Sequence, residues 1–483
     1  MEIVIIAIFL TLGIVGILIP LFDQVIYSRS GRHLAGYIAL ISQLFSALLL
    51  GWTIWANVPI TTSFGNLISP DELGIFFAIV FLLVGILITI ASINFMHDDP
   101  NQGSYYALIL LAVLGSILVG FSIDLVMLDV AWDLMFVTTL VLTGIRKTDW
   151  RSSEAAFKYY ILGALSTAFV FLAIAFFIGI TGTTSLAGIA AALPGISLEM
   201  QPLLLLAIVF TIIGFGIKMA IVPFQFWIPD AYEGAPTPIG GFLAAGSKKA
   251  GFAAILRVLT IVLITAPVMI IARWSFAIAF LAAITMTVGN IAALTQKSFP
   301  RMLAYSSIAH AGYMLIGIAY PNTVYSTPGL LFHILNHAIM TGAAFIAAAG
   351  VSLALNRTSV ADYDGLGKTM PATAFILTLT LFGLAGIPPL NGFWSKAILF
   401  LAAIEAGALW LAIVMVLNSV FSLGYYSWII KRMYLDEPTF SARVIEPRGI
   451  LVALVIAGAL ILMIGIYPTP FLTWINGITG IIP

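Results

Sequence analysis

Long, uninterrupted runs of apolar residues recur along the whole chain, separated by short polar stretches. A helix of about 20 apolar residues crosses a hydrocarbon core of about 30 Å. Backbone amides in lipid must be satisfied within each segment, and the strands of a membrane barrel would alternate apolar and polar residues, so the pattern predicts helices. We place fourteen spans, at 2–21, 34–56, 73–95, 104–121, 123–144, 155–180, 202–222, 237–262, 274–296, 301–320, 328–353, 370–400, 406–430 and 449–467.

The distribution of basic residues gives a separate indication of the topology, because Lys and Arg collect in cytoplasmic loops. Thirteen fall in odd-numbered loops: Arg29, Arg32, Arg146, Lys147, Arg151, Lys297, Arg301, Arg357, Lys368, Lys431, Arg432, Arg443 and Arg448. Only Arg273 falls in an even-numbered loop. The pattern predicts an all-α membrane protein of about fourteen transmembrane helices with both termini outside.

Composition excludes several classes of protein. Of 483 residues, 61% are hydrophobic and 8% are charged, against about 25% charged residues in soluble domains. The chain has no cysteine, which removes disulfides, thiolate zinc sites and ordinary iron–sulfur ligation. Its formal net charge is zero, so no basic surface points to nucleic acid.

Proline breaks stand in similar surroundings in the seventh and twelfth spans, at Ala220–Pro223 and Gly386–Pro389. An odd separation of five helices inverts the second copy, so we predict two inverted five-helix repeats with broken helices 7 and 12. The predicted divisions are helices 1–3 in residues 1–100, the first repeat in 101–262, the second repeat in 263–432, and the last helix in 433–483.

Six basic residues fall within or at the edges of spans: Lys158, Lys218, Lys248, Lys249, Arg257 and Lys396. A lysine in mid-membrane costs about 2.5 to 3.5 kcal/mol on insertion scales, so it persists where it faces protein or water and usually has a function. Lys218 precedes a proline break, which frees backbone carbonyls. Its candidate carboxylate partner is Asp133 in the fifth span. Lys248 and Lys396 add two more such amines.

Three histidines, His310, His333 and His337, add imidazoles that titrate near neutral pH. Together with the lysines they indicate a proton relay, although a Lys–Asp pair can equally be a static clamp between helices. His333 and His337 stand four apart, as haem or metal ligands do, but no second histidine pair accompanies them, so no metal or cofactor is expected in this chain. Lys249 is expected to turn outward. For Lys158 and Arg257, structural and functional roles both stay open.

Several long motifs resemble the antiporter-like membrane subunits of respiratory complex I and its relatives. They are KMAIVPFQFWIPDAYEGAPTPIGGFLAAGSKKAGFAAILRV (218–258), EAAFKYYILGALS (154–166), GNIAALTQKSFPRMLAYSSIAHAGYML (289–315), LFHILNHAI (331–339) and LAGIPPLNGFWSKAILFLAAIEAG (384–407). The motif EGAPTP followed by GSKKAGF is most similar to the N-type subunit, including archaeal forms in complexes that oxidise reduced deazaflavin.

The resemblance implies a fourteen-helix core and a relay formed by the ion-pair carboxylate Asp133, its partner Lys218, the central Lys248 and the terminal Lys396. It also implies a prokaryotic plasma membrane, partner membrane and peripheral subunits, and iron–sulfur clusters and flavin in those partners. Asp133 is one methylene shorter than the usual Glu. Gln225 and Thr341 stand where relatives have His and Lys.

The expected function is therefore proton translocation within a complex I-like dehydrogenase that passes electrons to a quinone-like acceptor. A subunit of a multi-subunit sodium/proton antiporter is the alternative, and a purely structural membrane scaffold is the third possibility. Lipid, protons and internal water are the remaining expected partners, and nucleic acid is not among them.

Overall fold

The fold is taken from a computed structural model that describes residues 1–30, 34–56, 58–59, 61–266, 268–355, 357–438 and 444–478. Two of the basic loop residues named above, Arg32 and Arg443, lie outside these residues, and the Arg29 side chain is likewise not described.

The described chain is built from α-helices, and most of them are long and apolar. They are α1 Glu2–Ser30, α2 Ala35–Trp55, α3 Glu72–Phe95, α4 Gln102–Phe121, α5 Leu125–Thr143, α6 Trp150–Thr181, α7 Leu186–Ala192, α8 Gln201–Met219, α9 Trp227–Gly234, α10 Thr237–Phe242, α11 Lys248–Thr265, α12 Val268–Leu294, α13 Phe299–Ala319, α14 Ser326–Leu355, α15 Leu366–Thr369, α16 Pro371–Ala385, α17 Asn391–Glu405, α18 Leu409–Leu435, α19 Arg448–Ile466 and α20 Thr469–Asn476.

Within the described ranges, twelve helical segments are long and apolar enough to cross a membrane. The two other predicted spans consist of shorter pieces. The eighth is α10 and α11 joined by a π-helical turn at Leu243–Ser247, and the twelfth is α16 and α17. The all-α prediction of about fourteen membrane elements is therefore confirmed. The ninth helix begins at Val268 instead of 274, so Arg273, predicted to lie in a loop, lies inside α12.

Aspartate residues fix the starts of several helices. Asp71 accepts a hydrogen bond from the Gly74 amide at the start of α3, and Asp124 accepts one from Val126 at the start of α5, at 2.8 and 2.9 Å. Each carboxylate satisfies an amide that the first turn leaves without an intrahelical partner. The membrane helices therefore begin at polar positions that the apolar pattern marks only approximately.

The two predicted repeats share local structure. In the first, the segment before α5 pairs with the segment after α6 through Leu125 N to Thr184 O and Leu186 N to Ile123 O. In the second, the segment before α13 pairs with that after α14 through Phe299 N to Thr358 O and Val360 N to Lys297 O. The two pairings correspond: α13 lies five spans after α5, and α14 lies five spans after α6, as an inverted five-helix repeat requires. The exact divisions at residues 101–262 and 263–432 stay a prediction.

Both broken spans end their first half in the same way. Ala220 follows α8 with φ of +58°, and Gly386 follows α16 with φ of +90°. This left-handed conformation ends a helix, and glycine adopts it without steric cost whereas alanine does not. α13 and α14 lie at the centre of the molecule with almost every side chain buried. The second break therefore lies next to α14, which contacts both α16 and α17, whereas the first break contacts Thr285 of α12 through the Val222 amide.

Candidate functional site

Lys218 lies in the last turn of α8 and is buried in an aromatic enclosure. Its ammonium contacts the hydroxyl of Tyr159 on α6 and lies 4.6 Å from the centre of that ring. Tyr159 stacks on Trp227 at 4.5 Å between ring centroids, and its hydroxyl also bonds the Thr139 hydroxyl at 2.8 Å. Aromatic faces attract a cation while still allowing the neutral amine. The carbonyl of Ile217, near the break, accepts from the Trp227 indole at 2.9 Å and not from the lysine.

Asp133, the expected partner of Lys218, makes a different contact. Its carboxylate accepts a hydrogen bond from the Thr167 hydroxyl of α6 at 2.9 Å. In the parts of the chain that the structure describes, no carboxylate is in ion-pair contact with Lys218. The short aspartate side chain stays at the α5–α6 contact, so the expected Asp133–Lys218 ion pair is not formed in this structure. One turn earlier, the buried Oδ1 of Asp129 has no hydrogen-bond partner among the described residues.

Two adjacent lysines begin α11, directly after the π-helical turn. The Lys248 ammonium donates to the carbonyl of Ser307 on α13 at 2.7 Å and lies 3.2 Å from the Ser307 hydroxyl. The Lys249 ammonium donates to the Ala244 carbonyl at 2.9 Å and lies 2.6 Å from Nδ1 of His337 on α14. The expectation that Lys249 turns outward is wrong, because its exposure is 0%. Neighbouring helices enclose α11 on all sides, so the side chains of Lys248 and Lys249 both point into the protein.

The three predicted histidines come together between α13 and α14. Nδ1 of His310 lies 3.0 Å from Nε2 of His333, and Nδ1 of His333 lies 2.9 Å from the Ser395 hydroxyl of α17. The His337 ring lies 4.5 Å from that of His310, centre to centre, and its Nε2 is 3.1 Å from the Thr341 hydroxyl. The imidazoles thus connect α11 to α17.

Lys396 lies on α17, and its ammonium donates to the carbonyls of Leu384 and Ala385, both at 2.9 Å. In a continuous helix these carbonyls would accept from residues 388 and 389, which are prolines without an N–H group. The break therefore supplies two acceptors to a buried amine, as the sequence suggested for the proline breaks. The ring of Tyr313 lies 4.9 Å from the Lys396 ammonium and 5.4 Å from the His310 ring.

The other internal cations pair with carboxylates. Arg257, which is fully buried, forms a two-pronged contact with Asp71 and donates to the Gly120 carbonyl. Lys158 pairs with Glu154 and Asp230, both at 2.7 Å, and Arg301 bridges Asp230 to Glu233. These contacts indicate a structural role for Arg257, and the Asp230 cluster joins α6 and α9 to α13.

Asp230 lies on α9, outside the membrane spans. Burial alone would raise the pKa of its carboxyl, but hydrogen bonds from Lys158 and Arg301 outweigh this effect and lower the pKa below its ordinary value. The carboxylate is therefore ionised throughout the neutral range.

Sequence reasoning found the amines and imidazoles but missed several of their partners. Tyr159 and Ser307 carry no sequence signal, because a tyrosine or serine in an apolar helix usually packs or bonds its own backbone. The burial of Lys249 depends on the neighbouring helices that enclose α11, which no motif in the sequence marks. Asp129, the buried carboxylate four residues before Asp133, was visible in the sequence but was not among the predicted site residues.

This geometry defines a class of protein: a polytopic membrane subunit with buried, protonatable side chains in two related helical halves. The chain belongs to the family described as "NADH:quinone oxidoreductase/Mrp antiporter, TM", which matches residues 122–422.

Individual relatives extend the similarity to nearly the whole chain. The chain is 38% identical over 469 residues to F(420)H(2) dehydrogenase subunit N of Methanosarcina mazei, covering 94% of each protein. It is 39% identical over 469 residues to NADH-quinone oxidoreductase subunit N of Trichlorobacter lovleyi, covering 95% of this chain and 93% of that one.

Solved structures agree. A chain of the membrane-bound sulfane sulfur reductase, an archaeal respiratory membrane complex, matches with a TM-score of 0.90 and 27% identity, covering 99% of this chain and 97% of that one. A chain of respiratory complex I from Thermus thermophilus gives 0.79 and 30% identity, covering 96% and 98%. A chain of the Mrp complex from Dietzia, at 0.84 but 18% identity over 98% and 96%, shares the fold.

Proposed function

We propose that this chain translocates protons across the plasma membrane of a prokaryote as a subunit of a complex I-like assembly. Other subunits of that assembly would carry electrons from a reduced cofactor to a quinone-like acceptor, and they would hold the iron–sulfur clusters and flavin. This chain would contribute no redox centre. The names of its relatives, subunit N of an F(420)H(2) dehydrogenase and of NADH-quinone oxidoreductases, support membership of such an assembly.

One observation carries the proposal: among the residues that the structure describes, no carboxylate contacts the ammonium groups of the buried lysines. Lys218 contacts a tyrosine hydroxyl, Lys248 a serine, Lys249 a carbonyl and an imidazole, and Lys396 two carbonyls. A static buried ammonium would need a carboxylate to offset its desolvation. Amines with neutral partners are suited to gaining and losing a proton.

Proton transfer through this set requires no other chemistry. A proton leaves one nitrogen as another nitrogen or an oxygen binds it, and the donor keeps its electron pair. Lys218, Lys248 and Lys396 would hold protons in turn, with His310, His333 and His337 between the last two. Asp133 would contribute negative charge on the Lys218 side once α5 or α6 shifts and frees it from Thr167. The proposed relay runs parallel to the membrane through both halves.

The decisive experiment uses the complex purified through a tag on this chain and reconstituted in vesicles. With the redox couple used by its partner subunits, Lys218→Ala, Lys248→Ala and Lys396→Ala should each abolish proton translocation per electron transferred while the complex stays assembled. The matched control is Lys147→Ala, which removes an exposed lysine. Undiminished translocation in all three variants would refute the relay.

Copurification distinguishes this proposal from the alternative, a subunit of a sodium/proton antiporter. The similarity to a chain of the Mrp complex, at 18% identity, shows a shared fold alone. Iron–sulfur proteins copurifying with the chain support a redox-driven pump, and a set of small membrane subunits alone supports the antiporter.

The orientation with both termini outside is part of the proposal. A protease added to intact cells should remove a tag placed at the N-terminus.

A further inference from the structure

The second of the two adjacent lysines has no place in the relay outlined above. Lys249 is fully buried, and its ammonium lies 2.6 Å from Nδ1 of His337. Lys248, one residue earlier, is directed to Ser307 on a different helix. Successive residues of an α-helix point about 100° apart, so the pair reaches α13 and α14 from a single turn. The π-helical turn at Leu243–Ser247 precedes them, and such turns recur at functional sites.

We propose that Lys249 is itself a proton-relay residue, and that it passes protons between the start of α11 and the histidine cluster of α13 and α14. The inference rests on the proton-translocating function proposed above and adds a member to the relay. In this arrangement Lys248 reaches α13 at Ser307, and Lys249 reaches α14 at His337.

The contacts define the order of transfer. The Lys249 ammonium gives a proton to Nδ1 of His337, which leaves a neutral amine and an imidazolium. His337 releases the proton from its other nitrogen, Nε2, towards His310, whose ring centre is 4.5 Å away. Nε2 of His310 is buried and has no hydrogen-bond partner among the described residues, so it is free to accept. Each step breaks one N–H bond and forms another.

From His310 the path is already hydrogen-bonded. Nδ1 of His310 meets Nε2 of His333 at 3.0 Å, and Nδ1 of His333 meets the Ser395 hydroxyl at 2.9 Å. Ser395 precedes Lys396 on α17, and the Tyr313 ring contacts both the Lys396 ammonium and the His310 ring. The chain of contacts that begins at Lys249 therefore ends beside the terminal amine.

An arginine substitution distinguishes a relay role of Lys249 from a structural one, because only a structural role would tolerate it. Arginine keeps a positive charge and several donors but does not release its proton in proteins. In the reconstituted complex, Lys249→Met and Lys249→Arg should both reduce translocation per electron by about a hundredfold, the scale of losing one proton-transfer group. Translocation preserved in Lys249→Arg would overturn the proposal, and so would failure of every Lys249 variant to assemble.

A second variant moves the amine to another helix. The Thr341 hydroxyl of α14 lies 3.1 Å from Nε2 of His337, so a lysine at that position reaches the same imidazole. Lys249→Ala/Thr341→Lys should recover translocation that Lys249→Ala loses, and a purely structural lysine of α11 would not be replaced in this way. If Lys218→Ala and Lys396→Ala stop translocation while Lys249→Met does not, this inference fails and the proposed function stands. If none of the three variants stops it, the proposed function fails.

Discussion

The buried Arg257–Asp71 pair gives a quantitative test of which internal charges are structural. The Arg257 side chain is 1% exposed and that of Asp71 is 15% exposed. Besides Asp71, the guanidinium donates to the Gly120 carbonyl from Nε at 3.1 Å and Nη2 at 2.6 Å. Arg257→Ala removes all these donors and leaves a largely buried carboxylate without its cation. Breaking such a pair costs about 3–5 kcal/mol.

The assay is thermal unfolding of the detergent-purified complex, with Lys147→Ala as the control because Lys147 is exposed. The double variant Arg257→Ala/Asp71→Asn should lose less stability than Arg257→Ala, since it removes the uncompensated charge and keeps an oxygen for the Gly74 amide. Proton translocation per assembled complex should be unchanged. Equal unfolding midpoints for Arg257→Ala and Lys147→Ala would refute the reasoning, as would a selective loss of translocation.

Three further outcomes are expected. A Cβ at Gly289 would lie 2.5 Å from a backbone nitrogen of α13, so Gly289→Ala should destabilise the complex by about 1–3 kcal/mol in thermal unfolding, whereas Gly179→Ala, with open space around it, should not. The pKa of the Asp230 carboxyl is lowered from 3.8, so the ionised carboxylate stabilises the fold fully above that pH, and this stabilisation is lost as pH falls through the folded pKa. The difference in stability between wild type and Asp230→Asn should therefore shrink below about pH 4. A difference that stays constant with pH would contradict the ion pairing of Asp230. Ser307→Asp should arrest translocation by holding the proton on Lys248, while Ser307→Ala, which keeps the carbonyl contact, should preserve it; equal rates in the two variants would argue against this role.

The membrane helices were predictable because lipid imposes a single backbone solution on a long apolar run. The same rule left the helix ends uncertain. α12 begins six residues before the predicted start, and the intervening residues include Arg273. A long basic side chain at a membrane edge can extend to the headgroups, so its presence does not end a helix. Hydropathy locates the span but not its first residue.

The site was predictable to the extent that charge in lipid is rare. Lys218, Lys248 and Lys396 stand out in apolar runs, and the structure buries the three histidines as it buries these lysines. The pairing of these groups was not predictable. Asp133 bonds Thr167 because a hydroxyl on the adjacent helix is within its shorter reach, and Lys249 is buried because neighbouring helices enclose α11. Both outcomes depend on tertiary packing.

The partners of the internal cations follow from what each side chain can do with its proton. Arginine is always charged, so Arg257 requires the carboxylate of Asp71 at that depth. Lysine can lose its proton, and a carboxylate beside it would favour the charged form and hold the proton in place. All four buried lysines instead meet hydroxyls, carbonyls or an imidazole. The same physical cost of burying charge thus accompanies an ion pair at Arg257 and contacts without a carboxylate at the lysines. The proline break at Pro388 supplies the Lys396 acceptors without adding any charge.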